Sequence, residues 1–85
     1  MLENIYRVIE DTYICGNNRV VLYGISVFSE ETKDMLAIHC LSENYNAINE
    51  LCGLCNSLQL DPVHLSDVTE DFLFAMRAKN GKEER

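Results

Sequence analysis

The apolar residues of this chain change their spacing near residue 42, and this change restricts the fold more than any other feature of the sequence. Between Asn4 and Leu41, apolar and β-branched residues recur at about every second position, as they do in strands. Beyond Ser42 they recur at every third or fourth position, as they do in helices. A run of strands followed by a run of helices predicts an α+β domain.

The first half of the chain predicts a three-stranded antiparallel meander. Its strands are expected at residues 4–15, 19–28 and 34–41. Gly16–Asn18 has the glycine and asparagine content of a short hairpin loop. Adjacent Val8 and Ile9 break the alternation of the first strand, which predicts a bulge near Glu10–Asp11. Gly24 in the central strand predicts either a bulge or the close approach of another backbone.

The second half predicts two helices that pack on one face of this sheet, in the order βββαα. Ser42 is expected to be the N-cap of the first helix, which runs over residues 43–58 and ends before Pro62. Ser66 is expected to cap the second helix. The apolar stripe of the first helix comprises Tyr45, Ile48, Leu51, Cys52, Cys55 and Leu58. The inward stripe of the second comprises Leu65, Val68, Phe72, Ala75 and Met76.

The length of 85 residues allows one domain, which we place at residues 1–76. Three basic and twelve acidic side chains give this part a net charge of −9, whereas four basic and two acidic ones give residues 77–85 a charge of +2. The charge change predicts that residues 77–85 form a basic helix end and a flexible polar tail, with the helix stopping at Gly81.

The net charge of −7 argues against a nucleic acid or an anionic membrane as the partner. The longest apolar runs are far shorter than the ~20 residues that cross a bilayer. The first residues, Met1–Ile5, have neither the basic nor the apolar region of a signal peptide. We therefore expect a cytoplasmic protein with reduced thiols.

Cys52 and Cys55 have the spacing of a zinc knuckle or a redox pair. A redox pair usually sits at a helix N-terminus, whereas these residues lie well inside the first predicted helix. A zinc site also needs two further ligands, and Cys15, Cys40 and the histidines form no second knuckle. The pattern favours two small buried side chains, with a metal or redox site as the alternative.

His64 precedes three carboxylates, those of Asp67, Glu70 and Asp71, in a group that could hold a divalent cation. Acidic residues in a first helical turn also interact favourably with the helix dipole, and we adopt that interpretation. His39 is the only other histidine, and no nucleophile motif surrounds either one. The sequence therefore predicts a protein that is not an enzyme and has no cofactor.

Two segments resemble a family of short uncharacterised Firmicutes proteins. These are the strand segment Tyr23-Gly24-Ile25 and the C-terminal motif P-x-H-L-x-D-V-x-E-D-F-L. The motif is carried by Pro62, His64, Leu65, Asp67, Val68, Glu70, Asp71, Phe72 and Leu73. The resemblance extends over most of residues 5–74. It implies the same order of strands and helices and a bacterial cytosolic setting, but no activity.

A sheet covered on one face leaves an apolar surface on the other, so we expect a homodimer through that face or an edge strand. This interpretation makes the protein an interaction or regulatory module that presents its acidic helical side to an unidentified protein partner. The expected interaction residues are Tyr23, Ile25, Met35, His39, Glu70, Leu73 and Phe74. The alternatives are a small thiol or zinc protein using Cys52 and Cys55, and an acidic inhibitor that competes for a basic groove.

Overall fold

A computed structural model describes residues 2–83 of the chain. Three strands form one antiparallel sheet in the order β1-β2-β3, and two helices follow, so the predicted βββαα fold is confirmed. The elements are β1 (Asn4–Cys15), β2 (Asn18–Ser29), β3 (Met35–Ser42), α1 (Tyr45–Leu58), a 3₁₀ turn (Pro62–His64) and α2 (Leu65–Glu83).

The β1–β2 hairpin is regular along its whole length. Its pairing runs without interruption from Asn4 opposite Ser29 to Cys15 opposite Asn18. Gly16 opens the two-residue loop with a φ of 62°, a conformation that glycine adopts without a steric penalty. The predicted bulge near Glu10–Asp11 is therefore wrong. The sequence alternates imperfectly there because β1 carries apolar side chains on both faces.

The irregularity of the sheet lies in β3, opposite Gly24. Tyr23 pairs with Ser42 but Ile25 pairs with Ile38, so β3 holds extra residues between these two pairs. A Cβ atom at Gly24 would lie 2.1 Å from the backbone oxygen of Ile38. The prediction that another backbone approaches Gly24 closely is confirmed.

The core lies on one face of the sheet, beneath α1 and the first turns of α2. Val68 and Phe72 of α2 pack against it, whereas Leu58, which belongs to the predicted α1 stripe, is 67% exposed and lies outside the core. The buried apolar residues are Tyr6, Ile25, Val27, Ile48, Leu51, Cys52, Cys55 and Leu65. Both helices thus cover the same face of the sheet.

The helix starts differ from those predicted. Asn44 is the N-cap of α1, and its side chain accepts a hydrogen bond from the Ala47 backbone N–H. Ser42 instead accepts a hydrogen bond from the backbone N–H of Asn44. Asp61 caps the 3₁₀ turn that leads into α2, so Ser66 lies within the first turn of α2. The capping residue follows the predicted one at α1 and precedes it at α2. In each case its side chain accepts a hydrogen bond from an N–H group that the first turn leaves free.

The second helix is longer than predicted. It continues through Gly81 to Glu83, because a single glycine lowers helix stability without necessarily ending the helix. The predicted helix stop at Gly81 is therefore wrong. The end of the predicted polar tail, Glu84 and Arg85, lies outside the described residues. No described helix is both long and apolar enough to cross a membrane.

Tyr6 joins β1 to the end of α1. Its hydroxyl donates a hydrogen bond to the Leu60 carbonyl oxygen, and its side chain is 2% exposed. Burial raises the pKa of Tyr6 from 10.0 to about 12, with smaller contributions from the nearby Cys55 and Asp61. Native Tyr6 therefore keeps its proton at a pH where the unfolded chain loses it.

We expect the free energy of unfolding to fall by about 2 kcal/mol between pH 10 and 12 because of Tyr6 alone. The raised native pKa means that this stabilisation is complete below pH 10 and is lost as the pH rises toward 12. Urea denaturation across this range measures it. Tyr6→Phe is the control, because it removes the titrating group and should flatten this part of the pH dependence. An equal fall in the variant would contradict the assignment.

Candidate interaction surface

One face of the sheet is not covered by either helix, and we call it the open face. Side chains alternate along a strand, so the burial of Tyr6, Ile25 and Val27 under the helices places their neighbours on the opposite side. The open face comprises Ile5, Arg7, Ile9, Asp11 and Tyr13 of β1, Val20, Leu22, Ser26 and Phe28 of β2, and Met35, Ala37 and His39 of β3.

One end of the open face is largely apolar. Ile5, Phe28 and Met35 surround a depression of about 170 Å³, together with Arg7 and Ser26. Met35 is 71% exposed. Single exposed apolar residues are common on protein surfaces, but a contiguous apolar patch is characteristic of an interaction site.

The other end of the open face, where β3 is irregular, carries polar side chains of β1 and β3 beside Leu22 and Val20 of β2. The Nδ1 atom of His39 lies 2.7 Å from an Oδ2 atom of Asp11, and the Tyr13 hydroxyl lies 3.0 Å from the Sγ atom of Cys40. The hydrogen bond to Cys40 is the main reason that the pKa of Tyr13 is raised. Cys40 has a φ of 59°, which is unusual for a residue other than glycine.

The predicted interaction residues are divided between the two sides of the sheet. Met35 and His39 lie on the open face. Ile25 is completely buried beneath the helices, and Tyr23 packs edge-on against Tyr45 with 5.2 Å between ring centres. The assignment of Tyr23 and Ile25 to an exposed surface is corrected, because the regular hairpin turns the odd positions of β2 toward the helices.

The remaining predicted residues lie on α2 and are separate from the open face. Phe74 is 71% exposed, Glu70 is exposed and Leu73 is half-buried. Leu73 and Phe74 follow Glu70 by three and four positions, so each of them lies next to Glu70 on the helix surface.

The thiols of Cys52 and Cys55 belong to the core beneath α1. They are 5% and 2% exposed, and burial raises the pKa of both thiols. A reactive or metal-binding thiol requires the opposite shift, toward the thiolate. The described residues contain no group of three or more histidine, cysteine or acidic side chains placed to hold a metal ion.

His64 and the nearby carboxylates are not placed to hold a metal ion together. His64 lies in the 3₁₀ turn and is exposed, as are Asp67, Glu70 and Asp71. Asp67 lies in the first turn of α2, where a carboxylate is stabilised by the helix dipole.

Sequence reasoning did not find most of the open face, in particular Ile5, Ile9, Leu22 and Phe28. The available signal was the two-residue hairpin loop. A two-residue loop sets the register of both strands, and the register determines which side chains share a face. The bulge predicted near Glu10–Asp11 obscured this relation.

The family model of DUF6514, a family of unknown function, matches residues 2–75. The chain belongs to this family. Comparisons with curated proteins and with solved structures gave no match. The resemblance to an uncharacterised family is thus confirmed, whereas a bacterial origin stays a prediction.

Proposed function

We propose that the protein is a non-enzymatic interaction module that forms a homodimer through the open face. The observation that carries this proposal is an exposed apolar surface on a sheet whose other face already holds the core. A chain of this length has a small core of its own, so further burial of apolar surface stabilises it.

The charges of the open face favour a second copy as the occupant. Arg7 is exposed there, and Asp11 lies four positions further along the same strand. A two-fold axis that passes near Ile9 brings the open face onto its own copy, so Arg7 can approach Asp11 of the second copy while Ile9 meets Ile9 of that copy. One cationic and one anionic side chain make the face complementary to itself.

The size of the open face predicts a weak dimer. β1 and β2 are 12 residues long, and β3 is 8 residues long. With a rise of about 3.3 Å per residue and a strand spacing of about 4.8 Å, the sheet offers roughly 500 Å² per copy. Two copies bury roughly 1,000 Å² in total, which is near the lower limit for a specific interface.

The dimer leaves the acidic helical side free for another protein. Asp67, Glu70 and Asp71 on α2 are exposed, as is Phe74. A partner with a basic surface would complement the negative charge of this side.

Two features support a role without catalysis. The Cys40 thiol interacts with the Tyr13 hydroxyl, whereas the His39 ring interacts with Asp11. A nucleophile activated by histidine requires these two groups to contact each other. The raised pKa of the Cys52 and Cys55 thiols also opposes nucleophilic reactivity.

We expect Ile9→Lys to convert the dimer to a monomer in sedimentation velocity at several hundred micromolar, a concentration that populates a weak dimer. Ile9 lies opposite Gly24, in the middle of the open face, and a buried lysine there would oppose association. Leu54→Lys is the matched control, because Leu54 is 54% exposed on α1 and the substitution changes charge equally. A monomeric native protein at this concentration, or equal loss of the dimer in both variants, would refute the proposal.

A further inference from the structure

The outer edge of β1 is closed by two side chains of the α1 end. The Asn56 amide accepts a hydrogen bond from the Tyr6 N–H at 2.8 Å and donates one to the Tyr6 carbonyl at 3.0 Å. Gln59 makes the same pair of bonds to Asn4, at 2.9 and 3.0 Å. These amides replace a neighbouring strand, so this part of β1 cannot pair with another chain.

The outer edge of β3 has no such cover. Along a strand, the N–H and C=O groups of successive residues point alternately to its two sides. Those of Tyr6 point away from β2, so those of its partner Val27 point toward β3. Those of Leu36, the partner of Val27 in β3, therefore point toward β2. By the same alternation, the N–H and C=O groups of Met35 and Ala37 point away from the sheet. Among the described residues, no hydrogen bond from outside the β2–β3 ladder reaches these groups.

The free part of β3 also lacks the residues that usually protect an edge strand. Residues 35–38 contain no proline and no charged side chain. The irregularity beyond Ile38 ends the regular edge. The free segment is therefore short and apolar, with Met35 71% and Leu36 46% exposed.

An acidic cleft of about 310 Å³ adjoins this edge on the helix side of the sheet. Leu36 of β3 lines it, together with three carboxylates, those of Glu31, Asp34 and Asp61. Among the side chains that the structure describes, those of residues 2–78, no lysine or arginine forms a salt bridge with the carboxylates of the cleft.

We propose that the β3 edge binds an extended segment of a basic partner protein as a fourth strand. Alternate side chains of the added strand project to the helix side of the sheet, the side on which Leu36 lies. A lysine or arginine at one of these positions can enter the acidic cleft. A second copy of this chain fits less well, because its own exposed edge, Met35–Ser42, has no lysine or arginine. This site uses the backbone groups of the β3 edge and the cleft on the helix side, whereas the proposed dimer uses the side chains of the open face, so the inference goes beyond the dimer.

A fluorescein-labelled peptide of alternating lysine and valine tests this proposal by fluorescence anisotropy with the full chain. We expect binding to the native protein, no binding of the peptide with glutamate in place of lysine, and none after N-methylation of every backbone amide. The methylated peptide keeps its charges but cannot donate hydrogen bonds to a strand. Equal binding of the methylated peptide would overturn the proposal.

Charge-neutralising variants test the cleft. Removal of its three carboxylates should weaken peptide binding about tenfold, and removal of three carboxylates from α2 should change it less than about twofold. The cleft variant is Glu31→Gln, Asp34→Asn and Asp61→Asn, and the control is Asp67→Asn, Glu70→Gln and Asp71→Asn. The asparagine introduced by Asp61→Asn can still cap the 3₁₀ turn. Equal weakening in both would mean unspecific attraction and would overturn the proposal.

Ala37→Pro tests the edge directly, because proline removes an N–H that points away from β2. It should abolish peptide binding, whereas Ala37→Val, which keeps the N–H, should not. If Ala37→Pro dissociates a native dimer that Ile9→Lys leaves intact, β3 pairs with a second copy and the proposal is wrong. Peptide binding by a protein that sediments as a monomer would support this inference while refuting the open-face dimer.

Discussion

Replacing Gly24 with alanine is expected to lower the free energy of unfolding by about 3 kcal/mol or more. The added Cβ would lie 2.1 Å from the Ile38 carbonyl oxygen and 3.0 Å from the Cα atom of His39. Both are backbone atoms, so a change of side-chain rotamer cannot relieve the contact. The β2–β3 pairing would have to separate at the irregular part of β3. Urea denaturation followed by circular dichroism measures the loss.

Gly53→Ala is the matched control for this substitution. Gly53 lies in the middle of α1, and a Cβ atom there would have no neighbour within 4 Å. Alanine favours the helix over glycine, so we expect a gain of about 0.5 to 1 kcal/mol. A Gly24→Ala variant as stable as the native protein would show that β3 does not approach β2 as closely as described.

Ile48→Ala should destabilise the protein by about 3 kcal/mol. Ile48 is fully buried in the core between α1 and the sheet. Its replacement removes apolar contacts and leaves a cavity that the surrounding strands and helix fill only in part. A loss of this size is a large fraction of the stability of a small domain.

Leu58→Ala is the control for the core substitution, because Leu58 occupies the predicted α1 stripe but is 67% exposed. We expect a change of less than about 0.5 kcal/mol in urea denaturation. Equal losses in the two variants would mean that Leu58 also belongs to the core. Both measurements should be made at one protein concentration, because dimerisation stabilises the folded state by mass action.

The two proposed surfaces would allow the protein to make two contacts at once. The open face lies on one side of the sheet, and the β3 edge with its acidic cleft adjoins the helix side. A dimer through the open face would carry two such edges. Two linked sites bind a partner with repeated basic segments more tightly than either site alone.

Local sequence patterns were sufficient to predict the βββαα order and several particular features. The hairpin loop at Gly16 needs a residue that tolerates positive φ, and Gly24 indicates a close backbone approach; both signals lie in the residue itself. The stripe of α1 through Ile48 and Cys55 follows from helical periodicity. Met35 and His39 were correctly assigned to the exposed side of the sheet.

The face to which each β2 side chain points was decided by tertiary structure. Both faces of β2 are apolar, so composition could not show whether Ile25 or Leu22 lies beneath the helices. The choice depends on the register with β1 and on where α1 packs, and both involve residues far apart in sequence. The same holds for the closed edge of β1, since Asn56 and Gln59 reach Tyr6 and Asn4 only after the chain has folded. Sequence by itself determined the elements and their order, whereas long-range packing determined which surfaces remained free.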